Sequence, residues 1–348
     1  MLTTVIGSYP KPNYLKITDW FNAEGGTDTS YPTKFYNEEI NGLGKNAEEI
    51  FEKATKEVIA DQIECGIDII TDGEIRRENY IHYHCRHIKG IDFNKLTKKI
   101  ARTGNYECYL PTITKAIEAD KEFLTNDWQS SQKLSTKPVK ITIPGPLTIS
   151  DTISNEYYQS NKDLCKDLSK VINVEVKRLS SIGCKYIQID EPLFARKPLE
   201  AVEYGIENLE RCFYGCDENI EKITHICCGY PDKLNSINYP KAPLKSYFEI
   251  AKNLNASTVD TISIEDAHRQ NDLTLLELFN NKKIIIGLIK IASSQIESVQ
   301  VIDKRIKEAL NHIDSDRLLG SPDCGLGLLP RELTKVKLKN MVEAVKIN

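Results

Sequence analysis

Short, continuous runs of apolar and mostly β-branched residues recur along the chain. They are Thr3–Ile6, Ile67–Thr71, Val139–Ile143, Tyr186–Ile189, Ile223–Cys227, Val259–Ile264, Ile284–Ile289 and Leu318–Gly320. Unbroken runs of this kind suit parallel strands covered on both faces, whereas a half-solvated strand alternates. Between them the pattern changes to helical amphipathicity over Ala47–Cys65, Lys162–Ile182, Leu199–Cys212, Leu244–Leu254, Leu273–Phe279, Ile302–His312 and Glu332–Ile347. Glu64-Cys65-Gly66 and Ser181-Ile182-Gly183 end two of these stretches as glycine C-caps do. Strands that alternate with helices in this rhythm predict a closed (β/α)8 TIM barrel. Two stretches break the rhythm. Trp20–Asn46, with Gly25-Gly26, reads as one insertion, and Ile75–Pro138 as a long second connection carrying helices and a segment over the barrel mouth.

The 348 residues fit two average domains of ~150 residues or one enlarged barrel of ~250 or more, and the strand count selects a single barrel over 1–348. With 46 basic and 50 acidic residues the formal charge is −4, which speaks against nucleic acid as the partner. No apolar run reaches the ~18 residues of a membrane span. The opening MLTTVIGSYPKP lacks the charged and apolar regions of a secretion signal, so a cytoplasmic location is expected. In that setting the 10 cysteines read as buried small residues or metal ligands, not as a disulfide framework.

Barrel active sites lie where the strands end, so the residues after each run matter most. These are Gly7-Ser8, Asp72-Gly73-Glu74, Pro144-Gly145-Pro146, Asp190-Glu191-Pro192, His225-Ile226-Cys227-Cys228, Glu265-Asp266, Lys290-Ile291-Ala292 and Pro322-Asp323-Cys324-Gly325. His225 and Cys227 stand two apart on one strand and so face the same side, while Cys228 faces away to pack. With Glu265 and Cys324 they form an imidazole, thiolate and carboxylate set suited to Zn²⁺. The competing reading has His225 and Cys227 filling the barrel and Cys324 capping a helix; the addition of Glu265 and Cys324 at strand ends favours the metal. So anionic a ligand set activates water poorly but holds a substrate thiol as a nucleophilic thiolate, which points to alkyl transfer. Glu74, Asp190 and Glu191 offer carboxylates for an ammonium group, or for salt bridges across the mouth. The Gly7-Ser8 backbone offers N–H groups to a carboxylate. Together these ends suit an amino acid with a thiol side chain. His82, His84 and His87 lie among Arg76, Arg77 and Arg86, whose charges oppose a cation there, and they read as packing residues. His268 and His312 read as solvated, and Cys212 with Cys216 as uninformative.

The ordered set VIGSYP, TDGE, PGPLTI, IQIDEP, THICCG, ISIE and SPDCGL resembles the cobalamin-independent methionine synthases. The likeness covers nearly the whole chain and corresponds to the C-terminal catalytic barrel of the two-barrel enzymes, closest to the short single-barrel "core" members. It implies a zinc-dependent methyltransferase that makes methionine from homocysteine. Zinc would be held by His225, Cys227, Glu265 and Cys324. Ile6, Gly7 and Ser8 would clasp the homocysteine carboxylate, and Glu74 with Asp190 its amino group. Two positions depart from the two-barrel pattern. Lys290-Ile291-Ala292 stands where those enzymes have Asp-Ile-His, and Thr152 where they have a pterin-contacting tryptophan. The donor expected from the resemblance is therefore methyl-folate, a methylcorrinoid, or a methyl group supplied through an accessory protein. Zinc-dependent alkyl transfer to another thiol, as in epoxide opening, and a non-catalytic zinc barrel are the alternatives; a metal-free barrel resembling uroporphyrinogen decarboxylase has no need of the Cys, His and Glu set.

Overall fold

A computed structural model describes residues 1–21, 30–101, 106–236 and 239–348. Its strands are β1 (Leu2–Thr3), β2 (Ile70–Thr71), β3 (Ile88–Ala101), β4 (Tyr106–Ala119), β5 (Val139–Pro144), β6 (Ser154–Asn155), β7 (Tyr186–Asp190), β8 (Glu221–Ile226), β9 (Thr261–Ile264), β10 (Lys283–Ile289) and β11 (Leu318–Pro322). Eight of them pair in the order β1-β11-β10-β9-β8-β7-β5-β2, and a parallel Thr4–Ile69 bridge joins the two ends. The sheet is a closed, all-parallel barrel. Its register sets Pro144, Asp190, His225 and Ser263 side by side across β5, β7, β8 and β9, so chemistry from four strands arrives at one level.

The helix Asn161–Ser181 shows how the local sequence builds the outer layer. The Ser160 hydroxyl accepts from the Asp163 N–H at 3.1 Å as an N-cap. Leu164, Leu168, Ile172, Val176 and Leu179 recur at helical spacing and are buried against the strands. Gly183 (φ 91°) then turns the chain into the left-handed region, where a side chain is strained. Each buried aliphatic side chain contributes ~1.5–3 kcal/mol, so Leu168→Ala costs about 2–5 kcal/mol once the cavity is included.

Inside the barrel, Ile6, Ile69, Ile223, Ile285 and Leu319 form a cluster separate from the main core. Polar side chains occupy the interior as well. Lys140, fully buried, donates to Gln188 Oε1 at 2.5 Å, and Gln188 Nε2 donates to the Ile6 carbonyl at 2.9 Å and to Asp190 Oδ1 at 2.7 Å. Burial pushes the Lys140 ammonium down to about 7, against the pull of Asp190.

Three elements differ from the sequence expectation. The connection between β2 and β5 carries the helices Tyr80–Cys85 and Leu124–Lys133, but its bulk is an antiparallel hairpin of two 14-residue strands, β3 and β4, extended by β6. After β9 a 3-10 turn, Leu273–Leu278, replaces the expected α-helix, its first turn capped by Asp272. The helix expected over Leu199–Cys212 is present as one unbroken run from Pro198 to Cys212, differing only in a π turn over Ala201–Gly205 between its α-helical ends. The Trp20–Asn46 stretch contains the helix Ser30–Gly42, while Gly25 and Gly26 lie outside the described residues. Among the described residues no helix is long and apolar enough to cross a membrane.

Candidate active site

The chain after β1 is threaded tightly between the second and last strand ends. Thr71 donates to the Gly7 carbonyl at 2.7 Å, the Tyr9 N–H donates to the Gly73 carbonyl at 3.0 Å, and the Leu326 N–H donates to the Ser8 carbonyl at 2.8 Å. A Cβ on Gly7 would lie 2.5 Å from Glu74 Oε1, so only glycine lets that carboxylate approach the backbone. Glu74 itself has φ 56°, a strained value for a residue with a side chain. Its carboxylate accepts from Thr142 Oγ1 at 2.7 Å and from Arg77 at 3.3 Å. Burial raises its pKa despite the Arg77 charge. Asp190 is pushed up to about 7, chiefly by burial, with His225 pulling the other way. Glu191 points elsewhere. It accepts from the Leu147 and Thr148 N–H groups at 2.9 and 3.0 Å and from the Thr148 hydroxyl at 2.8 Å, tying the β5 turn to the β7 end.

At the same end of the barrel, donor atoms of His225, Cys227 and Cys324 lie within 4.8 Å of one another. The Ser263 hydroxyl meets His225 Nδ1 at 2.9 Å, while His225 Nε2 is buried with no hydrogen-bond partner among the described residues. An orphaned imidazole nitrogen beside two sulfurs fits a metal ligand set. Cys227 is drawn well below the usual thiol range by the Cys324 thiol that donates to it and by His225. Cys228 faces the core and burial pushes its thiol up to about 12. Glu265 stands apart from the trio: its Oε2 accepts from Lys241 Nζ at 2.7 Å.

Above these groups opens a cavity of about 550 Å³ lined by Ile6, Gly7, Ser8, Glu74, Asp190 and the His225–Cys227–Cys324 trio. Its outer wall is aromatic, with Trp20 stacked on Tyr230 at 5.5 Å and in tilted contact with Phe21 and Tyr80. Sequence reasoning missed this wall because Trp20, Phe21 and Tyr230 come from irregular segments and Tyr80 from a short helix within the long β2–β5 connection. It also missed Ser263, although that residue stands two before Glu265 and so shares its face of β9. His268 is not solvated as expected. Its Nδ1 pairs with Asp323 at 2.6 Å, Asp323 also accepts from the Asp266, Ala267 and His268 N–H groups, and His268 Nε2 accepts from the Ala292 N–H at 3.2 Å. His312 pairs with Glu277 at 2.7 Å. His82 is held by Thr33 and the Thr152 carbonyl, His84 by the Tyr80 carbonyl, and His87 stacks on Phe123. Burial lowers the pKa of each of these three imidazoles, that of His82 to about 4.

The family model described as the catalytic domain of cobalamin-independent synthase matches residues 1–347. The chain belongs to the cobalamin-independent methionine synthase family. It is accordingly a methyltransferase of methionine biosynthesis. The methionine synthase of Sulfolobus acidocaldarius is 32% identical, with 99% of this chain and 91% of that protein aligned. That of Saccharolobus solfataricus is also 32% identical, over 99% of this chain and 94% of its own length. The B12-independent methionine synthase from Shewanella sp. W3-18-1, solved in complex with selenomethionine, superposes with a TM-score of 0.83 at 30% identity, covering 99% of this chain and 96% of that one.

Proposed function

We propose that this methionine synthase family member methylates the thiol of homocysteine, acting as one catalytic barrel over residues 1–348. We further propose that Zn²⁺ is its cofactor, held by His225, Cys227, Cys324 and Glu265. The observation that carries this reading is the convergence of the two thiols and the orphaned His225 Nε2 beside a cavity lined by Gly7, Ser8, Glu74 and Asp190. Bound zinc supplies a site that keeps a substrate sulfur as thiolate at neutral pH.

The remaining work falls to side chains and backbone. Glu74 and Asp190 are buried carboxylates that gain stability by receiving an ammonium group, which offsets their desolvation. The Ile6-Gly7-Ser8 segment is fixed by its bonds to both neighbouring strand ends and presents backbone to the substrate carboxylate. The aromatic wall excludes water from the sulfur and leaves room for a second reactant. Paired carboxylates for an amino group favour an amino-acid thiol over a sulfonate thiol. The relative solved with selenomethionine bound is a methylated amino acid complex of the same family.

The donor is methyl-folate, a methylcorrinoid or a methyl group delivered by an accessory protein. Zinc-loaded protein is to be incubated with homocysteine and, in separate arms, methyl-folate, methylcobalamin or S-methylmethionine, and methionine quantified. Methionine from one arm identifies the donor, and methionine only with a partner extract identifies delivery. Cys324→Ser with full zinc content and full activity refutes the ligand assignment.

A further inference from the structure

Glu265 and Lys241 form a nearly dry ion pair: N to O is 2.7 Å, and the side chains are 6% and 13% exposed. The segment bearing Lys241 is pinned. The Ala242 N–H donates to the Cys228 carbonyl at 2.8 Å, Arg269 donates to the Ala242 carbonyl, and Pro240 and Pro243 flank the lysine. Gly229 (φ 155°) lets the Pro240 carbonyl pack where a Cβ would stand. Lys241 is thus fixed against the strand end that carries Cys227, and it lines the same cavity as the trio.

We infer that Lys241 is the alternate partner of Glu265, a positioning residue that takes the carboxylate when a substrate thiolate takes its place on the metal. This rests on the zinc reading above. Two thiolates and a carboxylate leave a zinc group at a net of minus one. A further thiolate with Glu265 still in place makes it minus two in a buried site, a costly accumulation. Transfer of Glu265 to Lys241 creates a neutral pair and returns the metal group to minus one, with the thiol proton leaving to solvent through the cavity. Fixed hydrogen-bonded segments on both sides mean that only the two side chains need to move.

The test uses the full chain as Lys241→Met, Lys241→Arg and Lys241→Met in a Glu265→Gln background. Zinc affinity is read by chelator competition without thiol, and homocysteine affinity from the visible spectrum of the cobalt-substituted protein. Lys241→Met is expected to bind zinc about fivefold more tightly or better, because Glu265 loses its competing partner, and to bind homocysteine more weakly by a similar factor. Lys241→Arg keeps parental values, and the methionine substitution has no effect once Glu265 is Gln. A merely structural lysine predicts looser zinc or no change, and either result overturns the inference. Parental protein that takes up no zinc, or shows no spectral response to thiol, removes the underlying reading and this inference with it.

Discussion

Removing the Ser263 hydroxyl tests how far the proposed metal site depends on the strand beside it. Ser263 lies directly opposite His225 in the β8–β9 register, and its Oγ meets His225 Nδ1 at 2.9 Å with both residues buried. Ligation through Nε2 requires the proton on Nδ1, and the hydroxyl is placed to accept it, fixing tautomer and ring orientation together. Ser263→Ala removes one oxygen from a packed interior and leaves that N–H without a partner. Loss of such an outer hydrogen bond costs ~10–100-fold in metal affinity, or about 1.4–2.7 kcal/mol. The apoprotein has the same unsatisfied nitrogen, so thermal stability falls too, by ~1–3 kcal/mol. Chelator competition on parent and variant, with melting curves of both apoproteins, measures the two effects separately. Zinc affinity within about twofold of the parent refutes the reasoning, because His225 then needs no support from β9.

Three further outcomes follow from the same geometry. Gly7→Ala sets a methyl 2.5 Å from Glu74 Oε1, forcing the carboxylate off Thr142; homocysteine affinity measured by calorimetry drops about tenfold or more, and an unchanged value rejects the clasp. Asp190 sits at about 7 in the free protein, and an incoming ammonium lowers it, so below that pH homocysteine binding expels a proton that Asp190→Asn cannot release. Calorimetry in buffers of different ionisation heat is expected to show this parent-minus-variant difference at pH ~6 and none at pH ~8.5; equal differences at both remove Asp190 from the titration. Glu191→Ala strands the buried Leu147 and Thr148 N–H groups and lowers stability by about 2–6 kcal/mol, read from the urea midpoint; a change under about 0.5 kcal/mol contradicts the bracing role.

The barrel was legible because its strands are buried on both faces, which writes them as uninterrupted Ile, Val and Thr runs. The convergence of His225 with Cys227 followed from the period of two along a strand. What escaped depends on chain reversals that no local pattern encodes. Lys241 reaches Glu265 only because the chain after Gly229 folds back, and His268 is gathered by Asp323 from two strands away. The β3–β4 hairpin was open to detection: Cys108 and Leu110 are buried at alternating positions, but two register shifts dilute the alternation along the pair. The expected helix after β9 is a 3-10 turn over Leu273–Leu278, a difference in hydrogen-bond pattern that the apolar spacing of so short a run does not encode.

The seam between β1 and β11 has a consequence for how the molecule comes into being. Leu2 and Thr3 pair with Leu319 and Gly320, and Cys324 follows that strand directly. During synthesis on the ribosome this β1 edge waits for its partner until more than 300 further residues have been made, and the proposed ligand set is incomplete for just as long. Closure of the sheet and assembly of the ligand set are therefore one late event, with the long loop-closure search that slows non-local β pairing. A nascent chain stalled before residue 318 should hold neither the seam nor the ion, however well its middle strands have formed.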